Sequence, residues 1–155
     1  MSLDKLLWCE SYRPTKINDI ILPDSIKKQA KQMVESGNLT NLIFSGGAGT
    51  GKTTLAKAIC AEIGADLKIY NGSDGSLNRE ELRENIANFA HTVSLNNNGV
   101  AKVILIDEAD GLSKDIQDAL RNPIEKYSKT CRFILTCNYP EKLIPALHSR
   151  CAAIH

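Results

Sequence analysis

The sequence predicts an α/β fold, in which a five-stranded parallel sheet lies between two layers of helices as a three-layer sandwich. Short segments that are apolar at nearly every position alternate along the chain with longer segments whose apolar residues recur at helical spacing. Strands that are apolar on both faces are typical of a parallel sheet that is covered on each side. The predicted strands are residues 42–44, 67–70, 103–106, 133–135 and 152–154.

The helices are predicted from apolar stripes and from the residues that begin or end a helix. One stripe predicts a helix over residues 25–36, and another ends at Gly64, which can take the left-handed conformation that closes a helix. Pro123 interrupts a third stripe, so we expect that helix to kink or end nearby, because proline lacks a backbone donor. Other helices are predicted to begin at Asn78, Ser113 and Pro145, and a turn is predicted over residues 96–99.

The composition indicates one ordinary globular domain. The chain has 155 residues and a net charge of +1, which gives no global basic field for nucleic acid or membrane. No apolar run approaches the ~18 residues that cross a bilayer, and residues 1–10 lack the pattern of a secretory signal. The five cysteines have no C-x-x-C spacing, which favours buried reduced thiols over zinc or disulfides.

A glycine-rich segment carries the clearest chemistry. Residues 46–53 read Gly-Gly-Ala-Gly-Thr-Gly-Lys-Thr and match the pattern G-x-x-x-x-G-K-[ST], with a buried strand before it and a helix after it. Glycines let backbone N–H groups approach phosphates closely, and the start of a helix adds a positive dipole end. Lys52 is expected to reach the β- and γ-phosphates of ATP, and the Thr53 hydroxyl is expected to bind Mg²⁺. The predicted nucleotide-binding residues here are Gly46, Gly47, Ala48, Gly49, Thr50, Gly51, Lys52, Thr53 and Thr54.

Two acidic residues, Asp107 and Glu108, follow an apolar strand, at the edge where parallel sheets bind ligands. In a nucleotide site Asp107 would hold Mg²⁺, directly or through water, and Glu108 would polarise the attacking water. The alternative is an acidic turn that only caps the next helix, and the glycine-rich loop upstream favours the catalytic role. Asn138 ends the fourth strand, and its chemistry fits equally a hydrogen bond to that water and a turn before Tyr139 and Pro140.

Four segments carry a family resemblance. Residues 8–14 read Trp-Cys-Glu-Ser-Tyr-Arg-Pro, the glycine-rich loop is the second segment, and residues 107–110 read Asp-Glu-Ala-Asp. Asn138 and the Ser-Arg-Cys run at residues 149–151 complete the set. Together they resemble the clamp-loader ATPases of the AAA+ class, in particular replication factor C small subunits. The resemblance implies a P-loop NTPase fold and Mg²⁺-dependent hydrolysis of ATP.

The resemblance also implies roles that spacing does not assign. Tyr12, Arg13 and Pro14 would border the adenine, and Asn138 would be the sensor 1 residue beside the γ-phosphate. Arg150 would be an arginine finger for the ATP of a neighbouring subunit, where a permanent planar cation stabilises developing charge. The alternative for Arg150 is a surface arginine at a helix C-terminus. The predicted catalytic residues are Lys52, Glu108, Asn138 and Arg150.

The family loads ring-shaped sliding clamps onto primer–template DNA. The expected partners are therefore other clamp-loader subunits, a sliding clamp and primed DNA, with no membrane, and the expected location is the cytoplasm (the host cytoplasm for a viral protein). Arg83 and Lys114 lie in predicted helices at places comparable to the family's DNA contacts, and an ordinary solvated charge fits each at least as well.

The resemblance divides the chain into an arm on the adenine side, residues 1–23, and an α/β core, residues 24–155. The family's helical lid and collar are absent from this sequence, so we expect the domain alone to bind nucleotide poorly and to hydrolyse it slowly. Residues 21–23 and 71–74 look closest to the large subunit of tailed-bacteriophage clamp loaders. One departure is the pair at residues 47–48, where Gly and Ala replace the family's usual prolines.

Three other interpretations stay open. Residues 107–110 also fit a DEAD-type helicase core, although a helicase should carry a Ser-Ala-Thr-like motif where residues 136–138 read Thr-Cys-Asn. Another AAA+ DNA-remodelling motor would share the glycine-rich loop and sensor 1, but not the Ser-Arg-Cys run. A subunit that binds ATP without hydrolysing it would have no need of Glu108 or Arg150.

Overall fold

Five parallel strands form the sheet in the part of the chain that the computed structural model describes, which is residues 16–37, 39–47, 51–75, 77–91 and 102–154. Every pair of neighbouring strands is parallel, so the predicted sheet is confirmed. The strands are β1 (Leu42–Ser45), β2 (Asp66–Asn71), β3 (Lys102–Asp107), β4 (Cys131–Cys137) and β5 (Ala152–Ile154). Their order across the sheet is β2-β3-β4-β1-β5.

Helices cover both faces of the sheet, as a three-layer sandwich requires. They are α1 (Asp24–Ser36), α2 (Lys52–Ile63), α3 (Arg79–His91), α4 (Lys114–Ala119), α5 (Arg121–Lys126) and α6 (Pro145–Arg150), with 3₁₀ turns at Ile17–Asp19, Ala109–Gly111 and Pro140–Lys142. No helix in the described ranges is long and apolar enough to cross a membrane.

Two buried clusters hold the layers together. One joins α1 and α2 to the sheet, and the other joins α3 to α6 to the opposite face. Strand β3 contributes to both clusters, because successive side chains of a strand point to opposite faces. Val103 and Leu105 lie in the first cluster, and Ile104 and Ile106 lie in the second. This alternation explains why β3 is apolar at every position between Lys102 and Asp107.

The predicted helix boundaries match the structure where it is described. Gly64 follows α2 with a φ of 69°, in the left-handed region that glycine tolerates best. The Asn78 side chain accepts a hydrogen bond from the N–H of Glu80 at 2.8 Å, and the Ser113 hydroxyl accepts one from the N–H of Ile116 at 3.3 Å. Pro145 is the first residue of α6. The turn predicted over residues 96–99 lies outside the described residues.

Pro123 divides its helix as predicted. The helical segment after Ser113 is interrupted at Leu120, which separates α4 from α5. Because proline has no N–H, Pro123 cannot donate to the carbonyl of Ala119, the last residue of α4. Leu120 keeps helical dihedral angles, with φ −78° and ψ −17°, so α4 and α5 join without a loop.

The described cysteines are free thiols at the core or its edge. Cys60, Cys131 and Cys137 are buried, and Cys151 is half-buried. Burial raises the pKa of Cys60 to about 12 and the pKa of Cys131 to about 11. The reactive form of a cysteine is the thiolate, which a raised pKa makes scarce at neutral pH. The fully buried Cys60, Cys131 and Cys137 are therefore expected to be structural and unreactive in the folded protein.

We predict that alkylating reagents distinguish these thiols by burial. Burial raises the pKa of both thiols above the working pH of 7 to 8, to about 12 for Cys60 and about 11 for Cys151. In the folded protein Cys60 should still react far more slowly than Cys151, because Cys60 is buried and Cys151 is only half-buried. In denaturant the pKa returns to its ordinary range, and both should react at similar rates. Mass spectrometry of peptides after timed iodoacetamide labelling measures this. Rapid labelling of Cys60 in the folded state would contradict the burial described here.

Candidate functional site

The glycine-rich loop joins β1 to α2 at the edge of the sheet where the strands end. Gly51 has a φ of 84°, a left-handed conformation that lets the chain turn sharply into α2 at Lys52. The N–H of Gly46 donates to the carbonyl of Cys137 at 3.3 Å, which ties the start of the loop to the end of β4. Residues 48–50 lie outside the described part of the chain.

Lys52 extends across this edge from α2 to the end of β4. Its ammonium group donates to the carbonyl oxygens of Gly46, at 2.9 Å, and Gly47, at 2.7 Å. It also donates to the Asn138 side-chain oxygen at 2.9 Å. The structure thus brings together two of the predicted catalytic residues, which are 86 positions apart in the sequence.

The Asp107 carboxylate receives hydroxyl donors from two sides. The Thr53 hydroxyl donates to Asp107 Oδ1 at 2.5 Å, and the Thr136 hydroxyl donates to the same oxygen at 2.6 Å. The predicted pair of metal ligands, Thr53 and Asp107, is therefore in direct contact. Sequence reasoning assigned no role to Thr136. The signal that could have indicated one is a hydroxyl residue that follows the apolar run at residues 133–135 inside strand β4.

Glu108 follows Asp107 in a strained backbone conformation. Its φ of 52° and ψ of 48° are left-handed, and it is the one non-glycine residue with positive φ among those described. Such a conformation costs on the order of 1 kcal/mol in a residue with a side chain. The Glu108 N–H donates to the Thr136 hydroxyl at 3.0 Å, and the side chain is exposed at the edge of the sheet.

Two glycines pack against the backbone of this turn. The N–H of Gly72 donates to the Asp107 carbonyl at 2.7 Å, and a Cβ on Gly72 would lie 2.3 Å from the Glu108 carbonyl oxygen. A Cβ on Gly111 would lie 3.0 Å from the carbonyl oxygen of Gly72. The loop after β2 and the turn after β3 therefore approach too closely for side chains at these positions.

Asp110 holds the segment that carries Asn138. Its Oδ2 accepts the backbone N–H of Asn138 at 3.1 Å and that of Tyr139 at 3.0 Å. The fourth residue of the Asp-Glu-Ala-Asp run thus fixes the loop after β4. The Asp-Glu-Ala-Asp motif alone predicted no separate role for Asp110, because its hydrogen-bond partners lie 28 and 29 positions away in the sequence.

An apolar pocket of about 210 Å³ opens beside the glycine-rich loop. The predicted neighbours of the adenine, Tyr12, Arg13 and Pro14, lie outside the described residues. Of the apolar lining residues, Leu22 and Pro23 belong to the arm predicted on the adenine side, and the sequence predicted no role in base binding for the others. The pocket is lined by Leu22, Pro23, Ile26, Phe44, Leu55 and Ile154 together with Ser45, Gly46, Gly51 and Lys52.

Arg150 lies at the end of α6 and pairs with α5. Its guanidinium contacts the Glu125 carboxylate at 2.6 Å and donates to the Ala146 carbonyl at 2.8 Å. Its side chain is 21% exposed. Its described contacts are thus on the helices before β5, and the structure does not bring Arg150 together with Lys52 and Asn138 in the way that it joins those two.

The chain matches, over residues 42–155, the family described as "ATPase family associated with various cellular activities (AAA)". The chain belongs to this family. Its glycine-rich loop, acidic strand end and polar β4 terminus all lie within the matched range.

Similar proteins include replication factor C small subunits from archaea. The chain is 42% identical over 151 residues to that of Methanoregula boonei, covering 94% of this chain and 46% of that protein. It is 41% identical over 151 residues to that of Methanosarcina acetivorans, covering 94% of this chain and 44% of that protein. The AAA chain therefore spans about half the length of these relatives.

Solved structures with the same fold include the Holliday junction branch migration motor RuvB of Thermotoga maritima. A RuvB variant superposes with a TM-score of 0.74 and 23% identity, covering 92% of this chain and 47% of that chain. Another RuvB structure gives a TM-score of 0.72 at 22% identity, with coverage of 92% and 47%. At these identities the likeness supports the fold alone, which agrees with the predicted P-loop sandwich.

We predict that Gly72 is required for the turn at Glu108. Gly72→Ala should lower the free energy of unfolding by about 1–3 kcal/mol, because the new Cβ must displace the Glu108 carbonyl. Gly75→Ala is the matched control, since nothing lies within 4 Å of a Cβ there, and its effect should stay within about 0.5 kcal/mol. Urea unfolding measures both. Equal effects of the two substitutions would show that the close approach is not maintained in solution.

Proposed function

We propose that this AAA chain is the ATP-binding and hydrolysing domain of a sliding-clamp loader, which couples ATP hydrolysis to placing a clamp on primer–template DNA. The observation that carries the catalytic part is the meeting of Lys52, Thr53, Asp107 and Asn138 at one edge of the sheet. These groups come from three different strand ends, and each has a role in binding or cleaving a triphosphate.

Nucleotide binding rests on the loop and on the apolar pocket beside it. The backbone N–H groups at the start of α2 and the Lys52 ammonium would hold the β- and γ-phosphates. The pocket shares Gly46, Gly51 and Lys52 with the loop, so a purine base in the pocket stays within reach of phosphates at the loop. Its apolar wall, with Leu22 and Ile26, suits the faces of an adenine ring.

The residues at the end of β3 fit a magnesium ion. Hydroxyl and carboxylate oxygens are the protein ligands that Mg²⁺ prefers, and Thr53 Oγ1 lies 2.5 Å from Asp107 Oδ1. When bound with ATP, Mg²⁺ supplies positive charge that neutralises the phosphate oxygens. In this proposal Thr53 and Asp107 hold the ion, directly or through water.

Hydrolysis needs a group that accepts a proton from the attacking water and a group that orients it. Glu108 is exposed at the sheet edge directly after Asp107, which suits it to act as the base. Asn138 lies within hydrogen-bonding distance of Lys52, so its side chain is close to the expected position of the γ-phosphate. Asp110 keeps it there by holding the backbone of the β4 loop.

The clamp-loader role rests on the similarity to replication factor C small subunits and on the residues shared with that family. The same catalytic edge would serve other AAA+ DNA-remodelling motors, but the similarity to replication factor C small subunits does not favour that alternative. A clamp-loading protein works where the DNA is, which for a prokaryote or an infecting virus is the cytoplasm. Three expectations from the sequence stay predictions. They are the resemblance to phage clamp loaders, the arm at residues 1–23, and DNA contacts by Arg83 and Lys114.

Arg150 is proposed to act on the ATP of a neighbouring subunit. Its guanidinium is held by Glu125 of α5 and by the Ala146 carbonyl, and its described contacts include no residue of its own catalytic edge. A permanent cation at a subunit boundary would complete the charge around the neighbour's γ-phosphate. In this arrangement each domain supplies most of the residues of its own ATP site. It also supplies Arg150 to the ATP site of the neighbouring subunit.

We predict that Lys52 is needed to bind ATP and that Glu108 is needed to hydrolyse it. Lys52→Ala should weaken ATP binding roughly 10-fold or more, because it removes a charged donor to the phosphates. Glu108→Gln should keep ATP binding and lower turnover roughly 100-fold or more, because it removes the base. Glu35→Gln, an exposed residue of α1, controls for loss of a carboxylate. The measurements are fluorescent-nucleotide titration and phosphate release by the complete natural protein. Unchanged turnover in Glu108→Gln would show that Glu108 is not the base, whereas ATP binding without measurable turnover by the unsubstituted protein would identify a binding-only subunit.

We further predict that turnover by the assembled complex rises with a sliding clamp and primed DNA, and that Arg150 carries this rise. Arg150→Ala should lower stimulated turnover by about 10³-fold without changing ATP binding to the same chain. Arg121→Ala, which loses an exposed ion pair with Asp118, is the control for loss of an arginine. Glu125→Ala removes the ion-pair partner of Arg150 but keeps the guanidinium. It should therefore lower stimulated turnover much less than Arg150→Ala does. Turnover that ignores clamp and primed DNA would reject the clamp-loader role and leave the ATPase intact.

A further inference from the structure

Strand β4 buries a hydroxyl group directly behind the catalytic edge. Thr136 is 1% exposed and lies between apolar neighbours, where valine would fill the same space without a polar atom to satisfy. Its backbone is paired in the sheet opposite Phe44 of β1. Neither packing nor backbone pairing of β4 requires an oxygen in this side chain, so the hydrogen bonds that the oxygen makes indicate its role.

The Thr136 hydroxyl makes two different hydrogen bonds at once. It donates its proton to Asp107 Oδ1 at 2.6 Å and accepts the N–H of Glu108 at 3.0 Å. A hydroxyl has one proton and two lone pairs, so the two bonds use different sites on the oxygen and do not compete. The first bond acts on a side chain, and the second acts on the backbone of the next residue.

Each bond controls a property that the proposed reaction needs. Together with Thr53, the Thr136 hydroxyl converges on Oδ1, which fixes the plane of the Asp107 carboxylate. The bond from the Glu108 N–H holds a left-handed residue that would otherwise relax to a more common conformation. That conformation determines the direction in which the Glu108 side chain leaves the strand.

We infer that Thr136 is the positioning residue that sets the Asp107 carboxylate and the Glu108 backbone relative to each other. The inference rests on the proposed function, in which Asp107 holds Mg²⁺ and Glu108 activates water. In this inference Thr136 acts through the two acidic residues that its hydroxyl contacts, Asp107 and Glu108. Groups of this kind, which orient a ligand from behind, typically change metal affinity or activity roughly 10-fold to 100-fold when removed.

The test is a set of substitutions that differ by one oxygen. Thr136→Val keeps the shape and removes the hydroxyl, and Thr136→Ser keeps the hydroxyl. Thr136→Ala and Thr136→Ser form a second pair for use if the valine variant does not fold. Thr130→Val, at an exposed turn, controls for the same exchange elsewhere. Each is made in the complete natural protein assembled with its partner subunits, and thermal unfolding establishes that it is folded.

Three quantities are measured: the ATP dissociation constant at saturating Mg²⁺, the turnover number, and the Mg²⁺ concentration that half-restores binding of a fluorescent ATP analogue. We expect Thr136→Val to lower turnover roughly 10-fold or more and to raise the half-saturating Mg²⁺ concentration several-fold. Its ATP dissociation constant should change less than about two-fold at saturating Mg²⁺. Thr136→Ser and Thr130→Val should have the turnover number and the half-saturating Mg²⁺ concentration of the unsubstituted protein. In the second pair, Thr136→Ser should have a higher turnover number than Thr136→Ala.

Asp107→Ala separates failure of the inference from failure of the proposed function. If Asp107→Ala shifts the Mg²⁺ dependence of analogue binding but removal of the Thr136 hydroxyl does not, Thr136 only packs in the core and the inference is overturned. If Asp107→Ala leaves the Mg²⁺ dependence unchanged, the proposed metal site is wrong and the inference falls with it. If both shift it and the double variant shifts it no further than Asp107→Ala alone, Thr136 acts through Asp107 as inferred.

Discussion

The position of β4 between β1 and β3 is the constraint on which the catalytic edge depends. Because the three strands are parallel, their carboxyl ends lie side by side. The contact from Lys52 to Asn138 reaches β4 from the β1 side, and the contact from Thr136 to Asp107 reaches β3 from β4. If β1 were paired directly with β3, β4 could not lie between them and neighbour both, so one of the two contacts would be lost. The order of the strands therefore brings together side chains that are far apart in the sequence.

The turn at Glu108 is strained, and the surrounding backbone holds it. The Gly72 N–H bonds to the Asp107 carbonyl, and the Gly111 N–H bonds to the Glu108 carbonyl at 2.9 Å. With the Thr136 hydroxyl on the Glu108 N–H, the peptide groups on both sides of the turn are fixed. An isolated turn with this sequence would relax, because a non-glycine residue has a lower free energy outside the left-handed region. The strain persists here because three neighbouring segments would have to move with it.

The sequence predicted the features that are encoded locally, and missed those that depend on register. The strands, the glycine-rich loop and the acidic strand end are each readable within about ten residues, because periodicity and turn chemistry are local properties. The roles of Thr136, Asp110 and Gly72 depend on contacts with segments about 30 residues away, which only the pairing of strands determines. The apolar pocket beside the glycine-rich loop shows the same limit, since it joins Leu22 near the start of the described chain to Ile154 at its end.

The orientation of Arg150 also depends on a distant feature, the break at Pro123. Because α5 begins at Arg121, Pro123 lies in its first turn, where a backbone N–H has no partner within the helix and its loss costs little. The break thus lets α5 form beside the core, with Ile124 buried in the same cluster as Leu147 of α6. Adjacent helical residues point about 100° apart, so anchoring Ile124 turns Glu125 towards the rim, where it meets Arg150. A six-residue helix such as α6 is too short to be stable alone. Its terminal guanidinium is held both by the Ala146 carbonyl within α6 and by the Glu125 carboxylate of α5.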